Sequence, residues 1–148
     1  MGQLTSLIAG RSVAFDFAPL IYYIEEHPDY LPLVDELFEA FDKAIARGMT
    51  SVLTLHEVLI KPLRDQRPDL AERYRQVLAN SVNLEVHVIN HQICEAAAQM
   101  RAKYTWLRTP DALQITTAMN HQADIIVTND DKWKRMTEIQ VAILDDLR

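Results

Sequence analysis

Four acidic residues, Asp16, Glu57, Asp111 and Asp130, stand where they can do chemistry together. Asp16 closes the apolar run Ser12-Val13-Ala14-Phe15, Glu57 lies a few residues beyond the run Ser51-Val52-Leu53, and Asp130 follows the run from Asp124 to Thr128. Asp111 sits at a helix start that leads into that last run. Carboxylates gathered at one edge suit hard cations such as Mg²⁺ or Mn²⁺, which prefer oxygen ligands and water. One or two such ions supply what phosphodiester hydrolysis needs, charge stabilisation on the phosphoryl oxygens and an activated water. Each acid also has a purely structural role open to it. Asp16 can cap a helix beginning near Pro19, Glu57 can close a Thr54-x-x-Glu57 capping box, Asp111 suits the positive end of its helix, and Asn129-Asp130 can make a turn. Those separate roles do not predict the joint pattern, in which three acids fall just past three strands.

Other chemistries find less support. The five histidines, at 27, 56, 87, 91 and 121, are scattered, and no cysteine or histidine cluster has zinc-ligand spacing. No glycine-rich phosphate loop occurs. The single Cys94 cannot form an internal disulfide, which fits a reduced, intracellular setting. No stretch approaches the roughly 20 apolar residues that span a bilayer, and the segment Met1-Gly2-Gln3-Leu4-Thr5 lacks the form of a signal peptide, so the expectation is a soluble cytoplasmic protein. A net charge of −6 speaks against a broad electrostatic grip on nucleic acid. Bases nonetheless cluster locally: Lys61, Arg64 and Arg67; Arg101, Lys103 and Arg108; Lys132, Lys134 and Arg135. They read either as ordinary solvated helix faces or as holders of phosphate beside a metal site.

The elements that must position the acids follow from periodicity. A chain of 148 residues fits one domain, residues 1–148. The first strand ends at Phe15 and Pro19 opens a helix through Ile24. A second helix runs from about Pro32 to Arg47, with Leu33, Val34, Leu37, Phe38, Phe41 and Ile45 at helical spacing and Gly48 placed to end it. The second strand is Ser51-Val52-Leu53, and Pro62 limits the helix after it. Pro68-Asp69 opens a helix to about Asn80, Leu84 to Ile89 forms the third strand, and Asn90 caps an Ala-rich helix. Thr109-Pro110-Asp111 reads as cap, first position and first-turn acid of the next helix. The turn after it, Asn120-His121-Gln122, offers Asn120 or His121 as a left-handed residue. Asp124 to Thr128 is the fourth strand and Gln140 to Leu144 the fifth. Strands alternating with helices predict a parallel sheet covered on both faces, with sites outside the carboxyl ends of its strands.

The segment from Phe15-Asp16-Phe17-Ala18-Pro19-Leu20 to Glu25 resembles the opening of PIN domains. Leu53-Thr54-Leu55-His56-Glu57-Val58-Leu59 resembles that family's central Glu-bearing helix, and Thr109-Pro110-Asp111-Ala112-Leu113-Gln114 and Ala123-Asp124-Ile125-Ile126-Val127-Thr128-Asn129-Asp130 resemble its two later motifs, in the family's order. The resemblance implies a three-layer α/β/α sandwich with a parallel sheet of four or five strands, the first and fourth being neighbours. It implies a metal-dependent ribonuclease, using Mg²⁺ or Mn²⁺, most familiar in VapC-like toxins that pair with a cognate antitoxin protein. By the same matching, Asp16, Glu57, Asp111 and Asp130 are the catalytic and metal-binding acids, and Thr128 positions a water or an acidic neighbour. Arg108, nearest in sequence to Asp111, is a candidate RNA contact. The resemblance also implies a homodimer through the early helices, for which Tyr22, Tyr23, Tyr30, Leu31 and Leu33 provide material.

Two departures bear on activity. Phe17 stands where the family usually has a small or polar residue, and Asp131 adds a further acid. Phe17 keeps open a PIN fold that binds RNA or protein without efficient cutting. A third reading, phosphotransfer with Asp16 as nucleophile, wants a second acid two residues on, where this chain has Ala18.

Overall fold

The computed structural model describes residues 2–148. Five strands, β1 (Ser12–Phe15), β2 (Arg47–Ser51), β3 (Leu84–His87), β4 (Ile125–Thr128) and β5 (Gln140–Ile143), form one sheet in the order β3-β2-β1-β4-β5. Every pairing is parallel. All four residues of β1 and of β4 are buried. That is why both read as unbroken apolar runs, as strands covered on two faces do.

Among the described residues eight helices cover the sheet: α1 (Gln3–Ile8), α2 (Phe17–Ile24), α3 (Leu31–Asp42), α4 (Val52–Arg64), α5 (Pro68–Asn80), α6 (His91–Lys103), α7 (Thr109–Asn120) and α8 (Leu144–Leu147). A 3₁₀ turn, Asp131–Arg135, follows β4. Strand alternation divides the core in two. Val13, Phe15, Ile125 and Val127 face the larger half, built with α1 to α5. There the Phe15 ring meets Phe38 edge-on at 5.3 Å and stacks with Phe41 at 6.1 Å. Ala14, Met49 and Ile126 face the other half, with Met100, Ile115 and Trp133. The result is the three-layer α/β/α sandwich with a parallel sheet expected from the sequence.

In β1–β4 pairing, Phe15 stands opposite Val127, so Asp16 emerges beside Thr128. The chain leaves β1 toward β2 and β3 on one side and returns through α6 and α7 to β4 on the other. The strand order therefore reverses between β1 and β4, and a crevice opens there at the carboxyl ends.

Several local expectations are corrected. The second helix ends at Asp42, and Ala44, at φ 57°, makes the left-handed turn assigned to Gly48. Gly48 lies inside β2, where an added Cβ would meet the Phe41 ring at 2.7 Å. Close packing, and not helix ending, requires glycine at that position. The strand expected at Ser51–Leu53 is shifted to Arg47–Ser51, because Ser51 caps α4 by accepting the Leu53 amide at 3.1 Å. Thr54 and Glu57 therefore form no capping box, and Pro62 lies within α4, which continues to Arg64. Arg108, not Thr109, flanks α7 as its cap residue, and Gln122, at φ 59°, is the left-handed residue before β4. Asn90 caps α6 as expected, its Oδ1 accepting the Ile93 amide at 2.9 Å.

Candidate active site

Asp16 is the first residue past β1, held in extended backbone at the start of α2. It makes no full side-chain cap bond there, although the nearby Ala18 amide at the start of α2 favours its charged form. It lies two residues beyond Ala14 and shares that residue's side of the sheet, the side of α7. The side chain is buried, and Oδ2 accepts the Thr128 hydroxyl at 2.7 Å. Oδ1 is buried and has no hydrogen-bond partner. Buried polar atoms are ordinarily paired, and an unpaired charged oxygen is costly. Burial accordingly pushes the Asp16 pKa from 3.8 up to about 7; the Thr128 hydroxyl and the Ala18 amide oppose the rise, and the charges of Asp111 and Asp130 add to it.

Asp111 comes from the first turn of α7, where an acid favours the helix terminus. Its Oδ2 receives the Arg108 Nε at 3.3 Å. Burial raises its pKa as well, against the Arg108 charge, with Asp130 contributing to the rise and Lys132 to the opposing pull. Asp130 caps the 3₁₀ turn, its Oδ1 accepting the Lys132 amide at 3.1 Å, while its own amide donates to Thr128 Oγ1 at 3.2 Å. The turn role read for Asp130 from the sequence is thus real and coexists with its place at the crevice.

Asp16, Arg108, Asp111, Thr128, Asp130 and Lys132 together line one open cleft of about 370 Å³. Glu57 does not line it. Its side chain is about a quarter exposed, 3.5 Å from His56 Nδ1. It is nevertheless tied to the cleft by backbone arithmetic. Glu57 stands one turn along α4 from Thr54, and Asp111 one turn back along α7 from Gln114. Thr54 Oγ1 accepts from Gln114 Nε2 at 2.9 Å. Among the described residues, no three carboxylate, imidazole or thiol groups stand in a ready-made metal cage.

Sequence reasoning missed three contributors. Gln114 is buried and ties the start of α4 to the body of α7, accepting the Ser51 hydroxyl at 3.0 Å while donating to Thr54. A lone glutamine inside a helical motif carries no signal of that bridge. Asn129, between two assigned residues, donates to the Tyr22 hydroxyl at 3.3 Å and accepts the Asp145 amide at 3.0 Å, which anchors the strand end. Lys132, seen only as part of a basic cluster, lines the cleft. Phe17 also borders the cleft, but it packs against the larger core. Of the residues expected at a dimer contact, Leu33 is buried, Tyr23 stacks on Phe38 at 4.4 Å and Tyr22 on Tyr30 at 4.4 Å. Much of that material is spent within the protomer.

The carboxylate crevice between β1 and β4 of a five-stranded parallel sandwich defines an acidic-site α/β protein, and the family model of the PIN domain matches residues 18–139. The chain belongs to the PIN domain family. The match contains Glu57, Asp111 and Asp130 and begins just past Asp16. No curated protein sequence matches. Among solved structures, the fold is similar to that of a chain of VapBC2 from Rickettsia felis bound to a fragment of its promoter DNA, at TM-score 0.72 and 17% identity, covering 89% of this chain and 98% of that one. It is also similar to a chain of a toxin–antitoxin complex from Klebsiella pneumoniae, at TM-score 0.69 and 20% identity, covering 89% and 97%. A chain of DNA-bound VapBC from Salmonella typhimurium gives TM-score 0.68 and 20% identity over 90% and 98%. No helix is long and apolar enough to cross a membrane among the described residues.

Proposed function

We propose that this chain is a metal-dependent endoribonuclease that hydrolyses RNA phosphodiester bonds, acting as the toxin of a toxin–antitoxin pair. The observation that carries the reading is Asp16 Oδ1, a buried carboxylate oxygen without a partner in the wall of a cleft shared with Asp111 and Asp130. A hard divalent cation satisfies such an oxygen and offsets the cost of burying its charge, which is the main cause of the raised Asp16 pKa, together with the smaller repulsion from Asp111 and Asp130. Asp16, Asp111 and Asp130 would hold Mg²⁺ or Mn²⁺, with Glu57 reaching in from α4. When bound, the ion supplies charge neutralisation at the scissile phosphate and makes water a better nucleophile at neutral pH. Thr128 fixes the rotamer of Asp16 and the path of the chain into Asp130. Arg108 orients Asp111 through Nε and keeps its remaining N–H groups for a phosphate oxygen. An antitoxin partner is supported by the toxin–antitoxin complexes that share this fold. A homodimer through the early helices belongs to the same reading, and sedimentation at rising concentration tests it.

Single-stranded RNA labelled at its 5′ end is the direct test. Cleavage is expected with Mg²⁺ or Mn²⁺ and not with excess chelator, and Asp16→Asn is expected to abolish it. Full cleavage in chelator overturns the mechanism. Absence of cleavage with RNA binding retained would leave a binding module on the PIN fold.

A further inference from the structure

Beside the cleft lies a second surface that the carboxylate chemistry does not use. Trp106 sits in the turn between α6 and α7, packed on one side against the smaller core and partly open on the other. The turn is fixed. Leu107 is buried, its amide donates to the Tyr104 carbonyl at 3.0 Å, and Arg101 grips the turn through the Leu107 carbonyl at 3.0 Å and Thr109 Oγ1 at 2.9 Å. An aromatic ring held this firmly loses little entropy when it stacks on something. What covers it now is the Arg135 guanidinium, 5.5 Å from the ring centroid.

Arg135 forms no ion pair among the described residues, nor does Lys132, three positions earlier on the same 3₁₀ turn. Residues three apart on a 3₁₀ turn project to the same side. The nearby Glu138 is already taken by Lys103 and the Tyr104 hydroxyl. Arg108, two residues past Trp106, lines the cleft with Lys132. In a chain of net charge −6, cations left uncommitted at the rim of an acidic cleft suit an incoming polyanion. Arg108, paired with Asp111, and Lys132 line the cleft, while Arg135, three residues on from Lys132, lies over Trp106, two residues before Arg108. Bases beside a ring are the combination that holds single strands.

We infer that Trp106 and Arg135 form a base-stacking subsite for single-stranded RNA, one base seated against the Trp106 ring while Lys132 and Arg108 carry the adjoining phosphates into the carboxylate cleft. The subsite rests on the nuclease reading for the strand's destination. It can be tested without catalysis. Equilibrium binding of a fluorescein-labelled single-stranded RNA is measured in excess chelator, alongside quenching of the protein's indole fluorescence. Trp106→Ala is expected to weaken binding about tenfold, and Trp106→Phe, which keeps a ring, to recover most of the loss. Arg108→Gln and Lys132→Gln should each flatten the dependence of log affinity on log salt by about 0.7, a slope that Trp106→Ala should leave unchanged. Should Trp106→Ala fail to fold, RNA-dependent quenching that is present in the parent and absent in Trp106→Phe makes the same point. Equal affinity of Trp106→Ala and parent overturns the inference. So do lack of quenching in the parent and duplex RNA binding as tightly as single strand. Trp106-dependent binding by a protein that never cleaves would remove the nuclease reading and keep the subsite. Metal-dependent cleavage with no role for Trp106 would do the reverse.

Discussion

Thr128 and Asp16 lie 112 residues apart in the chain, yet the threonine hydroxyl donates to Asp16 Oδ2 at 2.7 Å across the seam between β1 and β4. The Thr128 hydroxyl oxygen in turn accepts the Asp130 amide at 3.2 Å. One small side chain thus sets the direction of one acid and the backbone of another. Thr128→Val keeps the shape and removes both bonds. It should cost about 1–3 kcal/mol of stability by leaving buried groups unpaired, and raise the pH at which Mn²⁺ begins to stabilise the protein. Thr128→Ser should restore most of both. Melting curves across pH check this, and a Thr128→Val protein with the parent's profile contradicts it.

The second prediction concerns pH. The folded metal-free protein holds the Asp16 proton with a pKa of about 7, against 3.8 ordinarily. The folded state binds this proton more tightly than the unfolded chain does. The stabilising contribution of Asp16 is therefore fully present below about pH 4, falls as pH rises toward 7, and is lost above it. Asp16→Asn should flatten that part of the stability curve. Metal needs the ionised carboxylate, so the rise in Tm caused by Mn²⁺ should grow as pH passes through about 7 and be small at pH 5. A Tm response to Mn²⁺ that is constant between pH 5 and 8 would count against Asp16 as a ligand.

The third separates site from scaffold at Asp130. Asp130→Asn retains an oxygen for the Lys132 amide and removes one charge from the cleft. Cleavage should stop, metal-free Tm should hold level or rise as repulsion is relieved, and Mn²⁺ should stabilise the variant less than the parent. An active variant with an unchanged metal response refutes the acidic-site assignment.

Gln114 provides the fourth. It bridges Ser51 and Thr54, the start of α4, to the body of α7. Gln114→Leu has similar volume but makes neither bond. Stability should fall by about 1–3 kcal/mol, and cleavage should fall too, because the spacing between Glu57 and Asp111 is no longer fixed. Asp111→Asn in the same background separates the two effects: activity losses that multiply independently argue that Gln114 acts on folding alone.

The elements that bury apolar runs on both faces were legible because burial leaves one composition in the sequence whichever neighbours supply it. The strands β1 and β4 are of this kind, while the Asn90 cap of α6 and Pro68 at the first position of α5 were legible from residue type alone. The stretch from Asp42 to Thr54 was not, because its decisive facts are contacts between distant residues. Gly48 signals a helix end by type, but the nearby Phe41 ring is what excludes a side chain there. Thr54-x-x-Glu57 has the spacing of a capping box, but Ser51 had already taken the cap. At the site, Asp16, Asp111 and Asp130 could be read from their places past strands and at a helix start. That Glu57 stands apart from the cleft, and that Gln114 governs the gap, depends on how α4 packs against α7.

The β1–β4 seam also fixes when the site can exist. Asp16 is made early and Thr128, with Asp130, late. Until the last strands are docked, the central strand has an open edge and the first acid has no hydroxyl beside it. A nascent chain still joined to a ribosome, or one cut short before residue 128, carries most of the hydrophobic core and none of the assembled cleft. The order in which the chain is synthesised therefore delays the cleft until β4 has docked beside β1 and Thr128 has reached Asp16.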